Sequence, residues 1–182
     1  MSIDSSETAG RYPGQGMMGI EEMVPASVWF PAIVPLLREG YQLKICPEGR
    51  SMVPFLTGGR DYAVLSVADG AYRFRKNDVV LYIVEGGIHV LHRVCRIDKD
   101  GIFTLGDALT SVEGPFQRSD ILASADYIIR KGRRIDRRNR RYLFLVSIWR
   151  LLRPLRPLII KGYFALKAAI YRLTAHSGSI MR

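Results

Sequence analysis

The sequence predicts a mainly β protein: an antiparallel β-domain with a short N-terminal helix and C-terminal amphipathic helices. Three observations carry this. Short apolar runs recur over 41–130, each closed by Gly, Asp or Asn turn signals. The chain has 182 residues, 48% of them hydrophobic, which suits a real core in one domain with appendages or in two very small domains. The charge is divided: from Arg130 onward there are 15 Lys or Arg and one acid, Asp136, while the preceding 129 residues carry a net −4. A mildly acidic body with a basic end points to a surface-binding tail.

Taken in order, residues 1–23 are Ser, Gly, Pro and acids without period, and read as disordered. They lack the positive n-region of a secretory signal. The apolar stretch 24–37 contains Pro25, Pro31 and Pro35 and is too short to span a bilayer. It reads as a helix over 27–39, stopped near Gly40. Strands are expected at "YQLKI" (41–45), "YAVLSVA" (62–68), "DVVLYIV" (78–84), "IHVLHRVCRI" (88–97), "IFTLG" (102–106) and "ILASADYII" (121–129). The third is apolar nearly throughout, so it should be a buried strand. Glu85-Gly86-Gly87 and Asp98-Lys99-Asp100-Gly101 are hairpin turns.

The domain plan is therefore a disordered 1–23, a β-rich domain with its leading helix over 24–130, and a basic helical tail over 131–182. The tail opens with "RKGRRIDRRNRR" (130–141) and continues as an apolar stretch interrupted by Arg150, Arg153, Arg156, Lys161, Lys167 and Arg172. Pro154 and Pro157 divide it into two helices. Such helices suit the headgroup layer of a membrane, which makes the membrane surface the expected partner. With neither a secretory signal nor a spanning helix read from the sequence, the expected location is cytoplasmic, peripheral to the membrane. Packing on the domain or dimerisation is the alternative. Nothing in the tail matches a nucleic-acid-binding module.

Cys46 and Cys95 stand outside any Cys-x-x-Cys or Cys/His cluster and read as reduced structural thiols. No metal site is expected: His89 and His92 are three apart on one strand and face opposite sides, and His176 stands alone. Gly58-Gly59 is not followed by Gly-Lys-Ser, so no phosphate loop and no cofactor is expected.

The chemistry-bearing candidates are Ser51, in "EGRSMVPFL" (48–56), His92, in "LHRVCRI" (91–97), and Asp107, in "LGDAL" (105–109). A serine hydroxyl is a weak nucleophile and needs a base. Histidine titrates in the right range and can return the proton to a leaving amine. A carboxylate can fix the imidazole tautomer. Each residue also has a plain structural reading, as a cap, a hydrogen-bonded strand residue and a turn.

"GRSMVPFL", followed by "RDYAVLSV", "NDVVLYIV", "LHRVCRI" and "LGDAL", resembles the serine-peptidase superfamily of type I signal peptidases and self-cleaving repressors. The likeness covers about 45–130. It implies the fold of those peptidases, Ser51 as nucleophile, and His92, where many members have lysine, as the base. That is the archaeal and endoplasmic-reticulum pattern, which implies Asp107 as the third member and a second acid nearby, for which Glu113 is the candidate, though it also reads as a surface residue. Gly49 replaces a usual serine that helps hold the oxyanion. Asn77-Asp78 replaces a Gly-Asp turn, and asparagine tolerates the left-handed backbone that glycine would supply. The expected function is a serine endopeptidase acting on a leader or signal segment of a peptide or preprotein, without the usual N-terminal membrane anchor. The alternatives are a non-catalytic, membrane-associated peptide-binding scaffold and a self-cleaving regulator.

Overall fold

The computed structural model describes the backbone of residues 17–19 and 34–177, and burial of side chains over 34–168. The described fold is mainly antiparallel β, with one short helix before most of the sheet and helices after it. Its strands are β1 (Met17–Gly19), β2 (Gln42–Ile45), β3 (Tyr62–Val67), β4 (Val79–Val84), β5 (Ile88–Asp98), β6 (Gly101–Leu105), β7 (Glu113–Phe116), β8 (Ile121–Arg130) and β9 (Arg133–Asp136). Helix α1 is described over 34–38. Helices α2 (Arg140–Leu151) and α3 (Arg156–Ser177) follow the sheet, joined by a single 3₁₀ turn at Arg153–Leu155.

The nine strands form one sheet in the order β1-β2-β3-β8-β4-β5-β6-β7, with β9 on β8. All pairings are antiparallel except β1 with β2. The alternation of side chains puts one core on each face. Leu43, Leu65, Val79, Leu81, Leu91 and Ala125 face the larger core, which Met52, Phe55, Leu56, Tyr142 and Val146 complete. Val80, Tyr82, Val94, Ile102 and Ile121 face the smaller one. Residues 79–82 of β4 are all buried, as the unbroken apolar run of that strand requires.

Six strands lie close to where the alternating pattern puts them, and three differences stand out. Met17–Gly19 forms a short parallel pairing with Gln42–Lys44 inside the stretch read as disordered, a backbone pairing that no side-chain alternation announces. The remainder of 1–23 and most of the helix expected over 27–39 lie outside the described residues. β7, "EGPF", is short, Gly- and Pro-bearing and half-exposed, so its sequence reads as loop. β9 lies inside the basic run: Lys131 (φ 49°) and Gly132 (φ 76°) both take left-handed backbone, and this two-residue turn folds Arg133–Asp136 back onto β8. The sheet thus extends past the boundary expected at 130.

The tail also packs on the body. Asn139 caps α2 by accepting from Tyr142 N–H (3.0 Å). Tyr142 and Val146 are buried in the larger core, with Phe55 edge-on to Tyr142 at 5.6 Å between centroids. Arg156, at the start of α3, is buried and donates to Leu109 O (2.8 Å). No helix among the described residues is long and apolar enough to cross a membrane.

Candidate active site

Ser51 sits in a turn between β2 and β3. The apolar residues after it anchor this turn: Met52, Val53, Phe55 and Leu56 are all buried. Val53 N–H donates to Arg50 O (3.2 Å), and Leu56 N–H to Met52 O (2.9 Å), which closes a compact loop. Ser51 itself stays half-exposed. Among the described residues, neither its hydroxyl nor its backbone N–H makes a hydrogen bond, so both are available to a ligand.

The serine turn is tied to the segment after β6. Ala108 N–H donates to Ser51 O at 2.7 Å. A Cβ on Gly106 would lie 2.8 Å from Ser51 O and 2.9 Å from the Leu109 side chain, so this close approach requires glycine. The Gly-Asp-Ala box is therefore the seat of the serine turn. The tail holds the seat from behind: Trp149 Nε1 donates to Asp107 O (2.6 Å) and Arg153 Nε to Thr110 O (2.9 Å).

His92 and Arg93 are consecutive on β5 and point to opposite faces. Arg93 enters the larger core. Its Nε donates to Asp107 Oδ1 (2.9 Å) and its guanidinium to Asp107 Oδ2 (2.8 Å), Tyr142 Oη (2.8 Å) and Asn77 O (2.9 Å). Both members of this bidentate pair are buried. Nearby Asp107 and Tyr142 hold the guanidinium pKa above its ordinary value, against the desolvation that would lower it. Asn77 takes φ 77°, the left-handed backbone its asparagine allows, and its carbonyl is one of the acceptors.

His92 faces the smaller core. Its Nδ1 lies 3.1 Å from Glu113 Oε2 and 3.1 Å from Tyr82 Oη. Tyr82 Oη in turn meets Thr104 Oγ1 at 2.9 Å and donates to Glu113. A carboxylate only accepts, so Nδ1 carries the proton and Nε2 keeps its lone pair. Nε2 makes no hydrogen bond among the described residues. Burial lowers the His92 pKa below its ordinary value, and the Glu113 charge opposes this in part.

The structure thus changes one expectation. Asp107 does not hold the His92 ring: its carboxylate is bonded to Arg93 on the other face of β5, and the carboxylate on His92 is Glu113. The reason is the strand's two-fold alternation, which separates neighbours 92 and 93, and the pairing of β7 with β6, which brings Glu113 opposite Thr104. The Ser51–Ala108 bond ties the serine turn to the segment carrying Asp107, and the Arg93–Asp107 pair ties that segment to the residue after His92 on β5. Among the described residues no hydrogen bond links Ser51 Oγ to His92. His89, opposite Ile83, and His92, opposite Val80, lie on different faces as expected. Sequence reasoning missed Arg93, Tyr82 and Thr104. A cation and two hydroxyls in otherwise apolar strands were the available signal.

No protein-family model, no curated protein and no solved structure matches this chain.

Proposed function

We propose that the chain is a serine endopeptidase, with Ser51 as nucleophile, His92 as general base and acid, and Glu113 as the carboxylate that orients and stabilises the imidazole. The observation that carries this is the state of His92: its Nδ1 faces a carboxylate while its Nε2 is left without a partner. That is the arrangement a base needs to accept a proton from a hydroxyl. In the reaction, Ser51 Oγ attacks the peptide carbonyl carbon as its proton passes to Nε2. The Ser51 N–H, which makes no hydrogen bond among the described residues, serves in this reading as a donor to the oxyanion. The same proton then goes to the leaving amine as the C–N bond breaks, and water hydrolyses the acyl-enzyme by the reverse assignment. Asp107 anchors the serine turn's seat through Arg93.

The resemblance of the serine and histidine boxes to signal peptidases favours an extended peptide as substrate, in a leader or signal segment. The tail favours a site of action at a membrane surface. Phe144, Leu145, Leu151, Leu158 and Leu166 are exposed, Leu151 by 81%, and lysines and arginines lie among them. Apolar side chains interleaved with cations match an anionic headgroup layer, where each Lys or Arg contributes about 1 kcal/mol. The protein is expected to float with anionic vesicles and to stay behind with zwitterionic ones. Leu151→Glu with Leu158→Glu should remove the flotation.

The test of the peptidase is a peptide library incubated with the protein on anionic vesicles, beside a serine-directed phosphonate probe. Cleavage and labelling are expected in the wild type and in neither case in Ser51→Ala. Cleavage equal in both proteins would end the proposal. A second reading, a peptide-binding scaffold, is favoured by the absence of a Ser51–His92 hydrogen bond. It predicts peptide binding without labelling. A self-cleaving regulator would instead show a loss from its own mass.

A further inference from the structure

The small-core face of the sheet buries three polar side chains among Val80, Val94, Ile102 and Ile121: Tyr82, His92 and Thr104. We propose that Tyr82 is a positioning residue for His92, its hydroxyl clamping Glu113 against Nδ1 so that the ring presents Nε2 as the base. The inference rests on the peptidase reading for its catalytic consequence, and on geometry alone for its effect on the ring.

Glu113 needs such a clamp. It stands at the start of a four-residue edge strand, and its side chain is 37% exposed. A carboxylate there has water within reach and rotamers that lead away from the ring. Tyr82 has neither freedom. It is fully buried in β4, between β5 and β8, with its ring against Phe116 at 4.4 Å between centroids. Its hydroxyl is a fixed point in the fold.

The valences close. A phenol donates one hydrogen bond and accepts two. Tyr82 donates to Glu113 and accepts from Thr104 Oγ–H and from His92 Nδ1–H, which it shares with Glu113. Thr104 is fully buried and opposite Glu113 in the β6–β7 pairing, so the chain of bonds starts from a hydroxyl shielded from water. The titratable groups that bear on His92 are Glu113 from β7, Tyr82 from β4 and, through space, Asp107 after β6. Cys95 of β5 bears on Tyr82. Burial and the Glu113 carboxylate push the phenol pKa above its ordinary value, so it remains a donor over the working range.

The test is Tyr82→Phe in the full chain, which removes the hydroxyl and keeps the ring. The first readout is ring ¹⁵N NMR of His92. The wild type should hold the Nδ1–H tautomer, and Tyr82→Phe should give a mixture with Nε2–H. The second is the peptide assay. kcat should fall on the order of tenfold or more, a part of the roughly 100- to 10,000-fold that a general base supplies, with KM within about twofold. Thr104→Val should shift the same tautomer ratio less, and it decides the matter if Tyr82→Phe does not fold. An unchanged tautomer in the folded variant overturns the proposal, whatever happens to kcat. If Ser51→Ala cleaves as the wild type does, the peptidase reading fails, and the tautomer measurement still decides what Tyr82 does.

Discussion

Replacing His92 with alanine is expected to lower peptide cleavage by roughly 100- to 10,000-fold at neutral pH, the share a positioned general base supplies. The wild-type pH profile should carry the same group's signature. Nε2 acts only when unprotonated. Burial holds the His92 pKa below the ordinary 6.5, so kcat/KM should rise as pH increases through a value under 6.5 and then level off. The residual activity of His92→Ala should lack that limb. Stability follows with the same sign. The unfolded chain binds a proton at His92 more readily than the folded one, so the neutral ring's contribution is complete above pH 6.5 and is lost as pH falls through the folded value. A profile that is flat from acid to neutral pH, or one unchanged in His92→Ala, would remove His92 from the chemistry.

Asp107→Asn should act on stability. Arg93 and Asp107 form a buried bidentate pair, and removing one charge leaves the other unpaired in the core. Breaking such a pair costs about 3–5 kcal/mol. For a chain of this size that is a fall in Tm of roughly 6–20 °C. Arg93→Met together with Asp107→Asn should cost less than the two single changes summed, because neither charge is then stranded. Thermal unfolding of the four proteins measures this. If Asp107 instead oriented the imidazole, Asp107→Asn would lower kcat and shift the His92 tautomer at an unchanged Tm.

The contrast between these two experiments marks where sequence reasoning reached. Strands β2 to β6 and β8 were legible because each carries an apolar run between turn residues. β9 was hidden by its charge: "RRID" pairs through its backbone, and its arginines face solvent. β7 was hidden by glycine and proline. The basic tail suggested a surface role, while its packing depends on Tyr142, Val146 and Arg156 meeting residues from 55 to 109. No spacing within the tail encodes that meeting. The same holds for the candidate site. Ser51 and His92 stood out as residue types that form a nucleophile and a base. Which carboxylate serves the histidine depended on the face each strand presents, and β5 turns Arg93 to Asp107 and His92 to Glu113.

This alternation limits how the gene can change. One deleted codon between residues 88 and 91 would carry β5 past its partners by a single position. Arg93 would then take the place of His92, beside Tyr82 and Glu113, and His92 would take that of Leu91 in the larger core. Both side chains would leave the partners that hold them, the imidazole losing Glu113 and the guanidinium losing Asp107. Two deleted codons would preserve the parity. β5 should therefore tolerate length changes only in even steps, or beyond the irregularity between Val94 and Arg96, where the pairing with β6 already absorbs an extra residue.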